Sequence, residues 1–321
     1  MTTAVVHALG ALAHRAVHAP TVSGCACPAP SVLADRADGT VVRRGPVVAK
    51  AHAPGTVITD LLARLSLAND PRLSGILLAP LRPRPLTSLV QGRPITLWPQ
   101  GEPVDPGDPD AAPWEEAAVL LAGLHRTPPP PGIGLPPMRG PAKAALAVAR
   151  MRAARPGHPS TAPVLAAWRR LPAWARGEGT APAHRSRYLC HGDLHLGQLV
   201  RHPSPHGPWL LIDVDDAGLG DPAWDLARPA AWYAAGVLPP EVWLRFLDAY
   251  RSAGGPAVDA EDDPWSALDG PARALTVQTA ALACAKSAAE GRSPDEVEQA
   301  MIDACARIAS LPPELGAHGP S

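Results

Sequence analysis

The stretch that decides the fold is residues 190–228, which read CHGDLHLGQLVRHPSPHGPWLLIDVDDAGLGDPAWDLAR. A His-Gly-Asp loop ends at Asp193, Gln198 follows five residues later, and two short apolar strands flank a Pro- and Gly-rich loop. The second strand delivers Asp213 at its end. A hairpin of these strands would gather Asp193, Gln198 and Asp213 around one point. Oxygen groups placed in this way can orient a hydroxyl group and hold Mg²⁺ against nucleotide phosphates, as phosphoryl transfer requires.

The composition excludes several classes of protein. The 321 residues carry a formal net charge of −1, so no strong field favours nucleic acid or a membrane surface as a partner. No run reaches the ~18 apolar residues of a membrane span, and residues 3–12 form a poor signal peptide. Cys25 and Cys27 are the one close pair among five cysteines. Without a second pair they do not complete a zinc site, and we expect reduced thiols in a cytoplasmic enzyme.

The first third of the chain has the pattern of a small antiparallel sheet that carries one helix. Short apolar pieces punctuated by turn residues predict strands at 39–44, 46–52, 76–81 and 94–99. Apolar residues at helical spacing predict a helix over 57–67. We therefore expect residues 1–101 to form a domain built on a sheet.

The remainder, residues 102–321, is predicted to be mostly helical. Periodicity and end signals predict helices at 113–126, 142–154, 161–175, 240–253, 271–289 and 293–311. The two strands of the 199–213 hairpin interrupt this region. The fold class expected from the whole pattern is α+β, with a sheet domain followed by a helical domain.

The motifs in the second domain resemble the aminoglycoside phosphotransferase and choline kinase family of kinase-like enzymes. The resemblance rests on His191-Gly192-Asp193, on Ile212-Asp213 at a strand end, and on Asp225-Leu226-Ala227. Leu124-His125 before a Pro-rich break also looks like a helix of that family. The resemblance runs from about residue 33 to residue 289 and is weakest in the first domain. It implies a bilobal, protein-kinase-like fold with the nucleotide in the cleft between the lobes.

The resemblance also assigns roles to residues. It implies that Asp193 is the catalytic base and that Gln198 and Asp213 are the metal ligands, although Gln198 stands where the family usually has asparagine. Lys50 would contact the nucleotide phosphates, a role that suits a lysine at the end of an apolar strand. The implied cofactors are ATP or GTP and Mg²⁺, with the nucleotide and a hydroxyl-bearing small molecule as binding partners.

Further residues are predicted to support this site. Trp98 and Gln100 fit a hinge segment whose backbone faces the nucleotide base, although a tryptophan there could equally belong to the core. His191 is expected to pack beneath the loop and Asp225 to anchor its backbone. The turn 37–39 would cover the phosphates with backbone amides, because no Gly-x-Gly-x-x-Gly motif is present. Asp60 is the nearest acid on the predicted helix that could pair with Lys50.

Alternatives remain at this point. A hydrolase could use His191, Asp193 and His195 as metal ligands, although such sites usually need further ligands from a second place in the chain. A peptide kinase is disfavoured because no Asp-Phe-Gly or Ala-Pro-Glu motif occurs. A nucleotide-binding pseudoenzyme is a third reading, suggested by Gln198 and by the lack of a glutamate on the predicted helix 57–67 that could pair with Lys50. The acceptor is not identified: acidic residues in 259–263 could face an aminoglycoside or could be a solvated loop, so an antibiotic and a metabolite both stay open.

Overall fold

The structure is a computed structural model that describes residues 3–18, 27–36, 39–81, 89–179 and 187–311. Its contacts divide the chain into two compact units. The sheet unit comprises residues 1–112, 130–136 and 197–215, and the helical unit comprises residues 113–129, 137–196 and 216–321. The predicted division at residue 101 stays a prediction. No helix in the described ranges has both the length and the hydropathy needed to cross a membrane.

The sheet unit is built on five antiparallel strands in the order β1-β2-β3-β5-β4. These strands are β1 Ser31–Arg36, β2 Gly39–Arg44, β3 Val47–His52, β4 Leu89–Val90 and β5 Arg93–Pro99. Helix α1, Thr3–Val17, packs on β2 and β3 and buries Val5, Leu9 and Ala13 against them. Side chains alternate between the two faces of a strand. Since Ala49 and Ala51 belong to the core beneath α1, Lys50 lies on the opposite face.

The rest of the sheet unit contains a helix and the hairpin that precedes Asp213. Helix α2, Ile58–Ala68, follows β3. A second sheet joins β6, Glu102–Pro103, to the hairpin of β8, Leu199–Arg201, and β9, Trp209–Leu211. This hairpin was predicted, and it places the residues after β9 next to those before β8.

The helical unit contains most of the helices. Its elements in the described residues are α3 Trp114–Arg126, α4 Gly140–Ala154, α5 Ala162–Arg170, α6 Ala223–Ala235, α7 Pro240–Ser252, α8 Trp265–Glu290 and α9 Glu296–Ser310, with strands β7 Tyr188–Cys190 and β10 Gly218–Gly220. The central element is α8, which packs against α4, α6 and α9, while α3 packs on α7. Antiparallel pairing of β7 with β10 fixes the strand that leads into the His-Gly-Asp loop.

Several local predictions were wrong. Residues 76–81 form no regular strand; Leu77 makes a single parallel bridge to Leu211, so their apolar character reflects burial and not sheet pairing. Helix α8 begins at Trp265 although Pro271 lies inside it, because packing on three helices outweighs the lost backbone hydrogen bond. Strand β1 and helix α6 were not predicted. Helix α1 was considered only as a poor signal peptide.

Candidate active site

The loop that carries Asp193 is anchored by a buried carboxylate. Asp225, in the first turn of α6, accepts hydrogen bonds from the backbone N–H groups of His191 and Gly192 at 2.6 and 2.7 Å. His125 Nε2 lies 3.0 Å from the same side chain, which is fully buried. Burial alone would raise the pKa of Asp225, but the contacts with His125 and the loop amides lower it below its usual value. Asp225 is therefore ionised, and the loop backbone has one defined position.

The same loop requires glycine at residue 192. Gly192 has a φ of +82°, a conformation that L side chains rarely adopt. A Cβ at this residue would lie 2.3 Å from the backbone oxygen of Asp216. Only glycine therefore fits between His191 and Asp193, because the backbone of the neighbouring segment leaves no room for a side chain.

Two cations hold the Asp193 carboxylate. Arg228 Nη2 lies 2.6 Å from Oδ1, and Lys143 Nζ lies 2.9 Å from Oδ2. Lys143 also contacts Asp216 at 2.6 Å. Burial would raise the pKa of Asp193, but Lys143 and Arg228 outweigh it and lower that pKa to about 2. The carboxylate is therefore ionised at neutral pH and suited to orient a hydroxyl group.

Neither cation was predicted from the sequence. Arg228 follows Asp225 by three residues on one helix, so helical spacing could have indicated it. Lys143 comes from α4, some distance earlier in the chain, and carries no local sequence signal. Asp193 and Arg228 line a small cleft in the helical unit. Its other lining residues include Gly192, Leu194, Trp224 and Gln278.

His195 does not join a metal cluster. Burial and the nearby Arg228 guanidinium lower its pKa to about 4, so its imidazole is neutral at neutral pH. In the described ranges, His191, Asp193 and His195 do not converge as a group of metal ligands. The hydrolase alternative therefore has no structural basis in this loop.

Lys50 lies at the centre of the ionic cluster in the sheet unit. Its Nζ is 2.6 Å from Asp213 Oδ1 and 3.0 Å from Asp215 Oδ2. Burial would lower the pKa of Lys50, but the two carboxylates raise it above its usual value. In the described residues its ion pairs are with these two aspartates, and none is with Asp60. The lysine is thus a permanent cation beside the acids that follow β9.

Asp215, two residues after Asp213, belongs to this cluster. His52 Nδ1 lies 3.0 Å from its Oδ2, and the other ring nitrogen of His52 lies 2.8 Å from the Thr96 hydroxyl. Burial would raise the pKa of Asp215, but His52 and Lys50 lower it well below its usual value. Its carboxylate is therefore charged and oriented by the strands.

The donor set fits a hard cation such as Mg²⁺. Asp213 has a φ of +63°, a conformation that is costly for a residue other than glycine and is often found at functional sites. The backbone oxygen of the largely buried Gln198 accepts a hydrogen bond from the Ile212 N–H at 2.9 Å, which places the two chain segments side by side. Two carboxylates and a neighbouring amide supply oxygen ligands of the kind that Mg²⁺ prefers.

The other predicted site residues lie at the end of β5. Trp98 is 8% exposed and donates its indole N–H to Thr96. The backbone N–H of Gln100 donates to Pro46, and its carbonyl faces His202 Nδ1 at 3.2 Å. These backbone groups thus have protein partners, and the contacts of Trp98 and Gln100 with a nucleotide stay a prediction. The phosphate-covering turn proposed at 37–39 includes residues 37 and 38, which lie outside the described residues.

The acidic residues at 259–263 are exposed in the segment between α7 and α8. Asp263 accepts a hydrogen bond from the Trp265 N–H at the start of α8. The Asp262 carbonyl accepts one from Arg251. The first of these contacts accounts for the Asp263 side chain through local structure, whereas the second involves only the backbone of Asp262.

Comparisons with known proteins agree with the family and the fold. The profile of the Phosphotransferase enzyme family matches residues 39–265. A choline/ethanolamine kinase family protein from Mesorhizobium loti is similar in fold, with 13% identity, 98% of this chain and 96% of that chain covered, and a TM-score of 0.55. A macrolide 2′-phosphotransferase from Brachybacterium faecium has 18% identity, coverage of 95% and 99%, and a TM-score of 0.52.

A third solved structure carries ligands. It is an amicoumacin kinase in complex with AMP-PNP, Ca²⁺ and Ami, with 18% identity, 87% of each chain covered and a TM-score of 0.59. A comparison with curated proteins finds no match. The structural likeness confirms the predicted α+β, kinase-like fold, and the profile match confirms the family resemblance drawn from the motifs.

Proposed function

This chain belongs to the Phosphotransferase enzyme family, and we propose that it moves the γ-phosphate of ATP or GTP to a hydroxyl group of a small molecule. Membership of the family makes it a phosphotransferase that acts on an alcohol group. The observation that carries the finer proposal is the ionised Asp193 carboxylate, held by Lys143 and Arg228 beside a cleft in the helical unit.

Asp193 is proposed to orient the acceptor hydroxyl. A pKa of about 2 makes this carboxylate a weak base, so its main contribution is to position the nucleophile and to accept its proton late in the reaction. Lys143 and Arg228 bind one carboxylate oxygen each. They are positioning residues, because they set the direction in which the remaining lone pairs of Asp193 point.

The sheet unit is proposed to bind the nucleotide. Lys50 would neutralise phosphate charge, while Asp213, Asp215 and Gln198 would hold Mg²⁺ if it is bound there. When bound, Mg²⁺ would offset the negative charge that spreads over the phosphate oxygens during transfer. Lys50 is paired with Asp213 and Asp215, so nucleotide binding would exchange carboxylate partners for phosphate partners. The amicoumacin kinase bound to AMP-PNP and Ca²⁺ supports this use of a nucleotide.

The acceptor class is proposed to be an antibiotic or a hydroxylated metabolite. The similar structures include a macrolide phosphotransferase, an amicoumacin kinase and a choline/ethanolamine kinase family protein. At identities below one fifth they do not distinguish among these acceptors. The near-neutral charge of the chain does not require a polycationic one.

The test is mass spectrometry of small-molecule mixtures incubated with the protein, Mg²⁺ and either ATP or GTP. The mixtures would contain aminoglycosides, macrolides, amino alcohols, sugars, nucleosides and Ser-containing peptides. We expect one class of small molecule to gain the mass of one phosphate, and the product to disappear with Asp193→Asn. A product confined to the peptides would overturn the proposal, as would nucleotide binding without transfer to any hydroxyl compound.

A further inference from the structure

A cluster of metal-binding side chains lies at the end of α1, apart from the residues proposed for phosphoryl transfer. His14 and His18 are one helical turn apart, and their ring centroids are 4.6 Å from each other. His18 Nε2 lies 2.9 Å from Cys27 Sγ. One ligand atom from each of the three residues falls within 4.8 Å of the others. Two ligands of one tetrahedral Zn²⁺ ion lie roughly 3.3–3.6 Å apart, because Zn–N and Zn–S bonds are about 2.0–2.3 Å long. Shifts of about an ångström would therefore let one ion contact all three side chains.

Close packing holds this cluster together. The segment that contains Cys27 runs alongside α1, where a Cβ at Gly10 would lie 2.5 Å from Pro30 Cγ. A Cβ at Gly45, in the turn between β2 and β3, would lie 3.9 Å from Cys27 Sγ. The thiol is therefore placed between the helix and a turn of the sheet. Packing of this segment against α1 brings the three side chains near one another, which lowers the cost of binding an ion.

The chemistry of the donors selects the kind of ion. Two imidazoles and a thiolate are borderline and soft ligands, which favour Zn²⁺ over Mg²⁺ or Ca²⁺. Arg44 lies close enough to His14 to interact with it electrostatically. A thiolate would also offset the positive charge of the ion beside Arg44. The site therefore differs in chemistry from the oxygen-rich cluster around Asp213.

We propose that His14, His18 and Cys27 bind one Zn²⁺ ion. Sequence reasoning set zinc aside because Cys25 and Cys27 had no second ligand pair nearby. The fold supplies that pair from α1, where a spacing of four residues puts both histidines on one face of the helix. A bound ion would tie α1 to the segment that leads into β1. Its expected consequence is added thermal stability, since it binds the folded arrangement of the ligands.

The test uses the full chain, reduced and stripped of metal with a chelator. Cobalt(II) serves as the spectroscopic probe, and zinc affinity is measured by competition with a chromophoric chelator. We expect one Co²⁺ per chain, a thiolate-to-cobalt charge-transfer band, and a higher melting temperature with Zn²⁺. His14→Ala, His18→Ala and Cys27→Ser should each weaken zinc binding by about 100-fold or more, since losing even a residue that only supports a ligand costs about 10–100-fold.

Two matched variants separate this site from other binding. His7→Ala removes an exposed histidine from the same helix and should leave affinity and spectrum unchanged. Cys25→Ser removes the neighbouring thiol and should preserve one-to-one binding. Circular dichroism of each metal-free variant checks that the fold is retained. The assignment would be overturned if the wild-type chain did not bind one Co²⁺ ion, or if the charge-transfer band survived Cys27→Ser. It would also be overturned if His7→Ala lost as much zinc affinity as the ligand variants.

Discussion

Replacing Lys143 by methionine should raise the pKa of Asp193. The pKa of this carboxyl group is about 2, against an ordinary value of 3.8. At about 1.4 kcal/mol for each unit of pKa, the difference corresponds to roughly 2.4 kcal/mol. This lowering of the pKa is the net result of two opposing effects, since burial raises the pKa and the two cations lower it. Lys143 contributes more to the lowering than Arg228 does. Removing its ammonium while burial persists should therefore return the pKa to about 3.5 or above.

The pKa can be read directly from the side-chain ¹³C carboxyl resonance of Asp193, assigned with Asp193→Asn. The titration would run from neutral pH to the lowest pH at which the protein stays folded. Lys143→Arg is the matched control, because it keeps the positive charge and should keep the low pKa. The reasoning is refuted if the wild-type carboxyl titrates near its ordinary value, or if its midpoint is the same in Lys143→Met.

The same substitution predicts a change in stability with a defined sign. A carboxyl group whose pKa is lower in the folded state stabilises the fold above its unfolded pKa, and this stabilisation disappears as the pH falls through the folded pKa. The contribution of Asp193 should therefore be complete above about pH 4 and lost towards pH 2. In Lys143→Met the free energy of unfolding at neutral pH should fall by about 1–2 kcal/mol, measured with urea against Lys143→Arg.

Three further predictions concern the loop and the acidic cluster. Asp225→Ala should lower the free energy of unfolding by about 3–5 kcal/mol in urea denaturation, because it leaves buried N–H groups and His125 without their carboxylate; a loss below about 1 kcal/mol would contradict the anchoring role. Gly192→Ala should reduce phosphoryl transfer at least about 100-fold in a steady-state assay, because the new Cβ would meet a backbone oxygen and shift the loop; wild-type turnover would show that the loop tolerates another path. Gln198→Asn should retain activity and need no more Mg²⁺ than the wild type in a metal titration, since the shorter amide offers the same oxygen; complete loss would show a site built around the longer side chain.

Local patterns were enough to predict the loop and the hairpin that carry the candidate site residues. The His-Gly-Asp loop, the hairpin 199–213 and the aspartate after its second strand lie within 24 residues of one another, so strand alternation and turn residues determine their proximity. The role of Lys50 was implied by the family resemblance and suits its place in an apolar strand, and it stays a prediction.

Contacts between segments that are distant along the chain could not be predicted from the sequence. Lys143 reaches Asp193 from α4, and its helix presents no periodicity or motif that distinguishes this lysine from a solvated one. From the sequence alone, Asp215 cannot be distinguished from a solvated acid. In the fold, β3 and β5 place His52 and Thr96 beside it. Residues 76–81 have an apolar run typical of a strand but form one bridge, since apolar character reports burial and not which backbone pairs with which.

The sequence by itself therefore determined the fold class, the family and the loop that carries Asp193, because those depend on residues that are neighbours along the chain. Only the tertiary structure decided the protonation of Asp193, the partners of Lys50 and the meeting of His14, His18 and Cys27. The physical reason is that charge and coordination depend on distances of a few ångströms. For groups on separate elements, packing of the whole unit sets those distances.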